Sequence, residues 1–532
     1  MGNSLGKDEM DEVTEVSRAI LELKKKAMIT FKPIEEEAEL DFYMDARAEP
    51  TQEDIFKLYK FGKVLGEGQS SVVRKCTLLK DSDQEFAVKV VSKSEGNAKD
   101  LRYSITELNI LRNVEYPGVV RYYESYQDSH SYYHLLEYCS GGTLSNYFYE
   151  KKRIGDIRLI KGVFYQAVSA IFYLHSHGIC HRDVKLTNYL IKDRKASNPE
   201  IKLIDFGFSK NYRRKRMKTM LGTTHYMSPE VIIDKDYGPE CDNWSLGIML
   251  YIMLFGEAPF DGETKIDMVK QMKNSEFKFN AEFEEKNPHV VEILKGLLEF
   301  NPEKRMDLKS VLLNSWFDQY CLSTISLGVS EMTRDRLLTL LVFEQKYRFE
   351  KILRNLYVKL FLDDPEIKAL TNVFRMVDFN GDGEVDTGEL LYFVNTIVEE
   401  HMTEAEITEV FSKINLDNTH TLSYLEFVSA CASQSFFKKP EYRKIIFDRI
   451  DFGAEGCITA KKLKACLDRL GFKCTFNEVS DGLQEYDMYK DGKITFFIFN
   501  TMFDKLDVSL PEKSDKYENI YGKLNNFYQE FR

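Results

Sequence analysis

Apolar and polar positions follow different periods along the chain, and these periods divide it into segments. Residues 1–58 contain apolar residues at steps of three and four, which predicts a helix with one narrow apolar face: Val13, Val16, Ile20, Leu23 and Ala27. This helix would dock on the next domain or bind a separate partner. Residues 59–317 alternate strand-like and helix-like patterns, and residues 318–364 form a long amphipathic stretch that Pro365 follows.

Residues 365–505 contain an internal repeat. Short acidic loops begin at Asp378, Asn415, Asp451 and Asp487, so that successive loops start 37, 36 and 36 residues apart. A fixed spacing of this size indicates a repeated supersecondary unit, and apolar residues on both sides of the first loop predict flanking helices. The tail, residues 506–532, carries no recognisable motif.

The charge balance and the cysteines narrow the class of protein. The chain has 532 residues and a net charge of −12, which argues against nucleic acid as a partner because a phosphate backbone requires a basic face. The nine cysteines are scattered and form no C-x-x-C pair, which excludes a disulfide scaffold and predicts a reducing, cytoplasmic location. No run of 18 apolar residues exists, so no segment is expected to span a membrane.

A glycine-rich turn and a strand that ends in lysine predict a phosphate site. Gly66 and Gly68 lie in a strand–turn–strand pattern where backbone N–H groups can approach phosphate oxygens, and Val73 would cover an adenine ring. Lys89 ends an apolar strand and would hold the α- and β-phosphates. Glu107 follows 18 residues later in a helical run and can pair with Lys89.

Catalytic groups follow in the order that phosphoryl transfer needs. Asp183, in His-Arg-Asp, would accept the proton of a substrate hydroxyl, and Lys185 would neutralise the phosphoryl group in flight. Asn188 and Asp205 would hold Mg²⁺. Because all of these groups are intact, an inactive kinase-like scaffold is the weaker interpretation.

These motifs resemble a eukaryotic protein kinase domain over residues 59–317. The resemblance implies a two-lobed α+β fold that binds ATP and Mg²⁺ and phosphorylates serine or threonine in protein substrates. It implies a pair between Glu230 and Arg305, and a Thr219 that is either a phosphorylation site facing Arg182 or an ordinary exposed threonine. It also implies nucleotide contacts from Leu65, Gly66, Gly68, Val73, Ala87, Lys89, Glu137 and Cys139.

The first acidic loop matches a twelve-residue calcium loop. Gly383 supplies the sharp turn at position 6, and Val385 supplies the apolar position 8 that pairs with a partner loop. Its expected ligands are Asp378, Asn380, Asp382, Glu384, Asp386 and Glu389.

The other three loops depart from this pattern. The second is expected to bind calcium weakly, because it has fewer charges and His420 replaces the glycine; its ligands would be Asn415, Asp417, Thr419 and Glu426. The third ends in Lys462, which repels Ca²⁺, and the fourth ends in Ile498, which offers no ligand. Both are predicted to be structural, with a paired-loop fold that Ile458 and Ile494 preserve.

A kinase domain, a connecting helix and four paired helix–loop–helix units in this order resemble the calcium-dependent protein kinases. The resemblance implies an all-α calmodulin-like domain at 365–505 and an autoinhibitory junction at 318–364 that this domain grips or releases with calcium. The junction is basic and amphipathic, as a calmodulin-like groove requires, and its anchors are Leu337, Leu338, Leu341, Phe349, Ile352, Leu356 and Leu360. The alternatives are an ordinary interdomain helix, a kinase with a weak or absent calcium response, and a calcium-sensing scaffold.

The first residues resemble an N-myristoylation signal at Gly2, but Gly6 stands where serine or threonine is preferred. A single acyl chain binds membranes only marginally, and the acidic residues that follow would repel anionic lipid. The sequence therefore predicts a cytoplasmic protein with weak membrane contact if Gly2 is acylated.

Overall fold

A computed structural model gives the fold. It describes residues 18, 21–22, 24–26, 54–68, 71–79, 81–93, 98–195, 199–212, 217, 224–233, 235–274, 279, 281–331, 334–341, 343, 348–397, 402–416, 419 and 421–505. The chain separates into two compact units, Met28–Tyr320 on one side and Cys321–Arg532 together with Met1–Ala27 on the other. Gly2, Thr219, Asp417 and His420 lie outside the described residues.

The first unit begins with a five-stranded antiparallel sheet in the order β1-β2-β3-β5-β4. Strands β4 and β5 are buried at most of their positions, and the side chains of Val88, Tyr126 and Leu135 are fully buried. One helix, α1 (Ala98–Asn113), lies in the chain between β3 and β4. The strands are β1 (Tyr59–Glu67), β2 (Ser71–Leu78), β3 (Asp81–Ser92), β4 (Tyr122–Gln127) and β5 (Ser131–Glu137).

The remainder of this unit is mainly helical, and short strand pairs carry its loops. The helices are α2 (Leu144–Glu150), α3 (Ile157–Ser176), α4 (Pro229–Ile232), α5 (Glu240–Phe255), α6 (Lys265–Lys273), α7 (Ala281–Lys286), α8 (Pro288–Leu297) and α9 (Leu308–Leu312). The paired strands are β6 (Ile179–Cys180) with β9 (Lys210–Asn211), and β7 (Tyr189–Ile191) with β8 (Ile201–Leu203). Helix α3 is long and apolar enough to cross a membrane, but 67% of its apolar window is buried in the protein, so it is a core helix.

One buried ion pair fixes the helices of this lobe. Arg305 forms two hydrogen bonds to the carboxylate of Glu230, at 2.7 and 2.9 Å, and its side chain is fully buried. The guanidinium also donates to the carbonyl of Glu240 at the start of α5. The predicted pair is therefore present, and its fork-like geometry sets the orientation of α4 against α5.

The second unit consists of helices joined by the repeated loops. Its helices are α10 (Asp318–Glu331), α11 (Arg334–Leu341), α12 (Arg348–Leu360), α13 (Pro365–Val377), α14 (Thr387–Ile397), α15 (Glu404–Ile414), α16 (Tyr424–Cys431), α17 (Gln434–Phe437), α18 (Pro440–Ile450), α19 (Ala460–Arg469), α20 (Phe476–Gln484) and α21 (Phe496–Lys505). The predicted α+β kinase fold followed by an all-α calmodulin-like domain is confirmed.

The acidic loops pair two by two through short antiparallel strands. Strand β10 (Glu384–Asp386) pairs with β11 (Thr421–Ser423), and β12 (Cys457–Ile458) pairs with β13 (Ile494–Thr495). The apolar residue at position 8 faces its counterpart in both pairs: Val385 opposite Leu422, and Ile458 opposite Ile494. The paired-loop fold survives in the two C-terminal loops, as predicted, because position 8 remained apolar.

The N-terminal helical segment does not group with the domain that follows it in the chain, although docking on that domain was one of the two expectations. Its described residues, 18, 21–22 and 24–26, are helical and group with Cys321–Arg532. A short apolar face does not specify its docking partner, so the sequence pattern could not decide between the two units.

Candidate active site and calcium loops

Lys89 and Glu107 form the predicted ion pair. Strand β3 carries Lys89 and α1 carries Glu107, and Nζ lies 2.5 Å from Oε2. Burial alone would lower the pKa of Lys89, but the carboxylates of Glu107 and Asp205 outweigh it and raise that pKa. The lysine is therefore held as a cation between two carboxylates, as phosphate binding requires.

The catalytic loop presents Asp183 between two donors. Its Oδ2 accepts a hydrogen bond from Lys185 Nζ at 2.6 Å and another from the Asn188 side-chain amide at 2.9 Å. Asp183 is 5% exposed, and these two bonds hold its carboxylate in one orientation. The three predicted residues are thus brought together around one carboxylate.

Asp242, near the start of α5, fixes the backbone of this loop. Its carboxylate accepts hydrogen bonds of 2.8 Å from the N–H groups of His181 and Arg182, and one of 2.9 Å from His175 Nε2. Arg182 has a φ of +67°, an αL conformation that costs a non-glycine residue free energy unless neighbours hold it. The contact between Asp242 and the catalytic loop joins residues about 60 positions apart, which no local sequence pattern specifies.

The hairpin of β7 and β8 brings Asn188 and Asp205 to one end of the site. Tyr189 pairs with Leu203, and the N–H of Ile204 donates to the carbonyl of Asn188 at 2.9 Å. Phe206 is fully buried against the ring of His181, with ring centroids 5.2 Å apart. The oxygen donors of Asn188 and Asp205 fit Mg²⁺, which prefers oxygen ligands and would neutralise phosphate charge there.

The expected nucleotide contacts lie on the sheet next to Lys89. Val73 lies opposite Lys89 in the β2–β3 register, and Ala87 lies opposite Leu136 in the β3–β5 register. Gly66 and Gly68 lie in and just beyond β1, where Gly68 N–H donates to the carbonyl of Ser71. Leu65 is 40% exposed and Gly66 has no neighbour that a Cβ would meet, so this edge is open to a ligand.

The Glu137 side chain is held by protein partners. Its buried carboxylate lies 2.5 Å from Lys192 Nζ and 3.7 Å from Lys202 Nζ. Burial would raise the pKa of this carboxyl, but Lys202 and Lys192 outweigh it and lower the pKa. The predicted nucleotide contact of Glu137 would therefore be made by its backbone and not by its carboxylate. Burial raises the pKa of Cys139 to about 12, so its thiol is neutral.

The first calcium loop has the electrostatics of a cation site. Asp378 accepts hydrogen bonds from the N–H groups of Gly381 and Gly383, and Glu389 accepts from those of Asn380 and Asp386. Burial and mutual repulsion raise the pKa of Asp382 and Glu389 well above normal, and burial raises that of Asp378 to about 6. Buried carboxylates that repel one another fit a divalent cation, which Asp378, Asn380, Asp382, Glu384 and Glu389 would hold.

In the second loop, oxygen atoms that could bind a cation accept hydrogen bonds from a side chain of the same loop. The side-chain amide of Asn415, at position 1, donates to Thr419 Oγ1 at 2.8 Å and to the carbonyl of Thr421 at 2.6 Å. These oxygens belong to positions 5 and 7, which would otherwise face the cation. Glu426 keeps its place and accepts from the N–H groups of Leu416 and Ser423. An amide nitrogen at the cation position supports the prediction of weak binding.

The third loop contains its own cation. Lys462 Nζ lies 2.6 Å from Asp451 Oδ1, 3.0 Å from Glu455 Oε2 and 3.0 Å from the carbonyl of Cys457. These groups occupy positions 1, 5 and 7, so the ammonium takes the position that Ca²⁺ would take. In the fourth loop Ile498 is buried in the core, and Asp487 accepts from the N–H groups of Tyr489 and Gly492.

Changing Lys462→Glu is expected to create a calcium site in the third loop. The substitution removes the resident ammonium and supplies the missing carboxylate at position 12, beside Asp451 and Glu455. Calorimetric titration should then show one more Ca²⁺ bound per chain than in the wild type. Lys461→Glu makes the same charge change at an exposed neighbour and should add none. An unchanged stoichiometry in the Lys462 variant would contradict this interpretation of the loop.

Comparisons with known proteins agree with both parts of the chain. Residues 59–317 match the model of a protein kinase domain, and residues 367–432 match that of an EF-hand domain pair. Both loops that keep a glutamate at position 12 lie within the second match.

The similar curated proteins share one description. The chain is 30% identical over 475 residues to calcium-dependent protein kinase 4 of Plasmodium berghei, covering 84% of this chain and 86% of that one. It is 27% identical to calcium-dependent protein kinase 5 of Plasmodium falciparum, over 84% of this chain and 78% of the relative. It is also 27% identical to calcium-dependent protein kinase 17 of Arabidopsis thaliana, over 85% and 84% of the two chains. With an assembled phosphoryl-transfer site and paired EF-hand loops on one chain, this protein belongs to the calcium-dependent protein kinase family.

Proposed function

We propose that the first calcium loop is the principal sensor of this calcium-regulated serine/threonine kinase, and that helix α12 carries the signal. The observation that supports this is the position of α12, which contacts helices of both EF-hand pairs. A junction held by the calcium-binding domain links the state of the loops to the chain that leads back to the kinase.

Cations of α12 hold the first EF-hand pair. Lys351 Nζ donates to the carbonyls of Ser412 and Asn415, at 3.1 and 3.0 Å, at the C-terminal end of α15. Arg354 is buried, donates to the carbonyl of Ser429 at 2.9 Å, and lies over the ring of Phe437. A cation is favourable at a helix C-terminus, where the last carbonyl groups point outward. The contact of Lys351 therefore depends on where the C-terminal end of α15 lies. Since Asn415 begins the second loop, a change in that loop moves the acceptor of Lys351.

Other residues of α12 hold the second EF-hand pair. Glu350 accepts a hydrogen bond of 2.9 Å from Tyr486, and Tyr357 donates to the carbonyl of Lys439, just before α18, at 3.3 Å. Phe349 packs so closely on α20 that a Cβ added to Gly482 would lie 2.2 Å from its ring. The absence of a side chain at Gly482 is therefore what allows α12 and α20 to approach.

Transfer is carried out by the groups around Asp183. Asp183 accepts the proton of the substrate hydroxyl, and Lys185 stays beside it to offset the negative charge of the moving phosphoryl group. Lys89, fixed by Glu107, orients the nucleotide phosphates. Bound Mg²⁺ would supply charge neutralisation to the phosphates at Asn188 and Asp205.

Kinase assays with chelator and with micromolar Ca²⁺ test the switch. We expect low turnover with chelator and a several-fold increase with Ca²⁺. Equal rates would favour the alternative of a kinase with little calcium response. This is the strongest alternative, because the Asn415 amide and the Lys462 ammonium occupy cation positions in the second and third loops. The scaffold alternative is disfavoured because the Lys89–Glu107 pair and the Asp183 cluster are assembled.

Gly482→Ala is expected to disrupt the capture of α12 and to raise the calcium concentration needed for activation. The added methyl group collides with Phe349, and overpacking of this kind costs about 1–3 kcal/mol. Calcium titration of kinase activity measures the effect. Gly453→Ala is the matched control, because a Cβ there meets only Glu455 at 3.4 Å. Pairing Gly482→Ala with Phe349→Leu should restore part of the response, and an unshifted midpoint in the single variant would exclude this role of α12.

We also propose that the protein is cytoplasmic, with weak membrane contact if Gly2 is acylated. The proposal is supported only by the N-terminal sequence. Cell fractionation of the wild type and of Gly2→Ala tests it, and identical distributions would exclude a role for Gly2.

A further inference from the structure

Lys24 of the N-terminal helical segment reaches the first calcium loop. Its Nζ donates a hydrogen bond of 2.5 Å to the main-chain carbonyl of Asp378, which is 354 residues away in sequence. Leu21, one turn earlier on the same helical face, is 7% exposed, whereas Arg18 and Glu22 are exposed. The segment therefore meets this unit through one face, on which an apolar anchor and an ammonium group lie together.

The ammonium lies in the field of the carboxylates at both ends of the loop. Burial lowers the pKa of Lys24, while Asp378 and, more weakly, Cys321 and Glu389 act in the opposite direction. Asp378 and Glu389 are positions 1 and 12, which contribute the principal negative charges of a calcium loop. A positive charge near them offsets part of the repulsion among the buried carboxylates when no metal is bound.

We propose that the N-terminal helical segment is an intramolecular ligand of the first calcium loop, and that Lys24 competes electrostatically with Ca²⁺ there. A divalent cation held by Asp378 and Glu389 repels the ammonium beside it, so that each weakens the binding of the other. The inference rests on the proposed function in one respect, which is that the first loop binds calcium.

The third loop provides an independent observation of the same chemistry. There Lys462 binds the groups at positions 1, 5 and 7 of its own loop. That ammonium belongs to the loop and cannot leave it, whereas Lys24 belongs to a separate segment that can dissociate. The same charge is therefore fixed in the third loop and exchangeable in the first.

Calcium titration of the full-length chain by calorimetry tests the competition. Lys24→Gln should bind calcium about tenfold more tightly at the first loop, whereas Lys24→Arg should keep the wild-type affinity because it retains the charge. Arg18→Gln, which removes a charge at an exposed position of the same segment, should change nothing. Glu389→Gln identifies which binding event belongs to the first loop.

Limited trypsin digestion gives a second readout that does not depend on kinase activity. Cleavage after residues 24–26 should be slow in chelator and several-fold faster in Ca²⁺, and Lys24→Gln should make cleavage after residues 25–26 fast in both. A calcium affinity of Lys24→Gln within twofold of wild type would overturn the competition. Equal cleavage of Lys24→Gln and wild type in chelator would overturn the docking. If Glu389→Gln removes no binding event, the proposed sensor fails, yet the digestion in chelator still decides whether Lys24 docks the segment.

Discussion

Glu389→Gln is expected to abolish most of the calcium activation of this kinase while leaving its chelator-level activity unchanged. Glu389 is the position-12 carboxylate, and burial together with the charges of Asp378 and Asp382 raises its pKa well above normal, so a bound cation would stabilise its charged form. Glutamine keeps an oxygen for the Asn380 N–H but loses the charge and the second ligand oxygen. The calcium dissociation constant should rise at least tenfold, about 1.4 kcal/mol, by calorimetry, and the activation ratio should fall close to one.

Glu485→Gln is the matched control for this variant. It makes the same chemical change at an exposed position of the same domain, just before the fourth loop, and should leave calcium activation intact. Ile498→Ala, at position 12 of the fourth loop, should leave calcium affinity almost unchanged, although it truncates a buried side chain and costs about 2–5 kcal/mol of stability. Four high-affinity sites in the wild type would contradict the ranking of the loops.

Asp183→Asn is expected to lower kcat by about 10²–10⁴-fold with little change in the Michaelis constant for ATP. Asparagine preserves the shape of the side chain and can still accept a hydrogen bond from Lys185, but it cannot accept the proton of the substrate hydroxyl. Initial rates of transfer from radiolabelled ATP to a generic protein substrate measure the loss.

The control for this variant is Glu303→Gln, an exposed carboxylate of the same lobe, which should retain wild-type kcat. Thermal unfolding of both variants separates a chemical effect from a folding defect. A kcat within threefold of wild type in Asp183→Asn would mean that another group accepts the proton, and it would remove Asp183 from the mechanism.

Much of both sites could be predicted from the sequence because their parts are local. A calcium loop takes its ligands from twelve consecutive residues. The sequence therefore shows directly that Lys462 and Ile498 stand at position 12, where a calcium loop needs glutamate. The order of the kinase motifs likewise predicted which residues converge around Asp183 and Lys89. The partners of the Glu137 carboxylate could not be predicted in this way, because Lys192 and Lys202 lie more than 50 residues away.

The sequence by itself determined which residue types stand at each position: which side chains form the phosphoryl-transfer motifs, which loops have carboxylates at calcium-ligand positions, and which helix is basic and amphipathic. Tertiary structure decided which of these elements meet. Asp242 holds the catalytic loop, Gly482 admits Phe349, and Lys24 reaches Asp378. Each of these contacts joins residues that are distant in the chain, and their geometry depends on how helices pack, which periodicity along one segment does not specify.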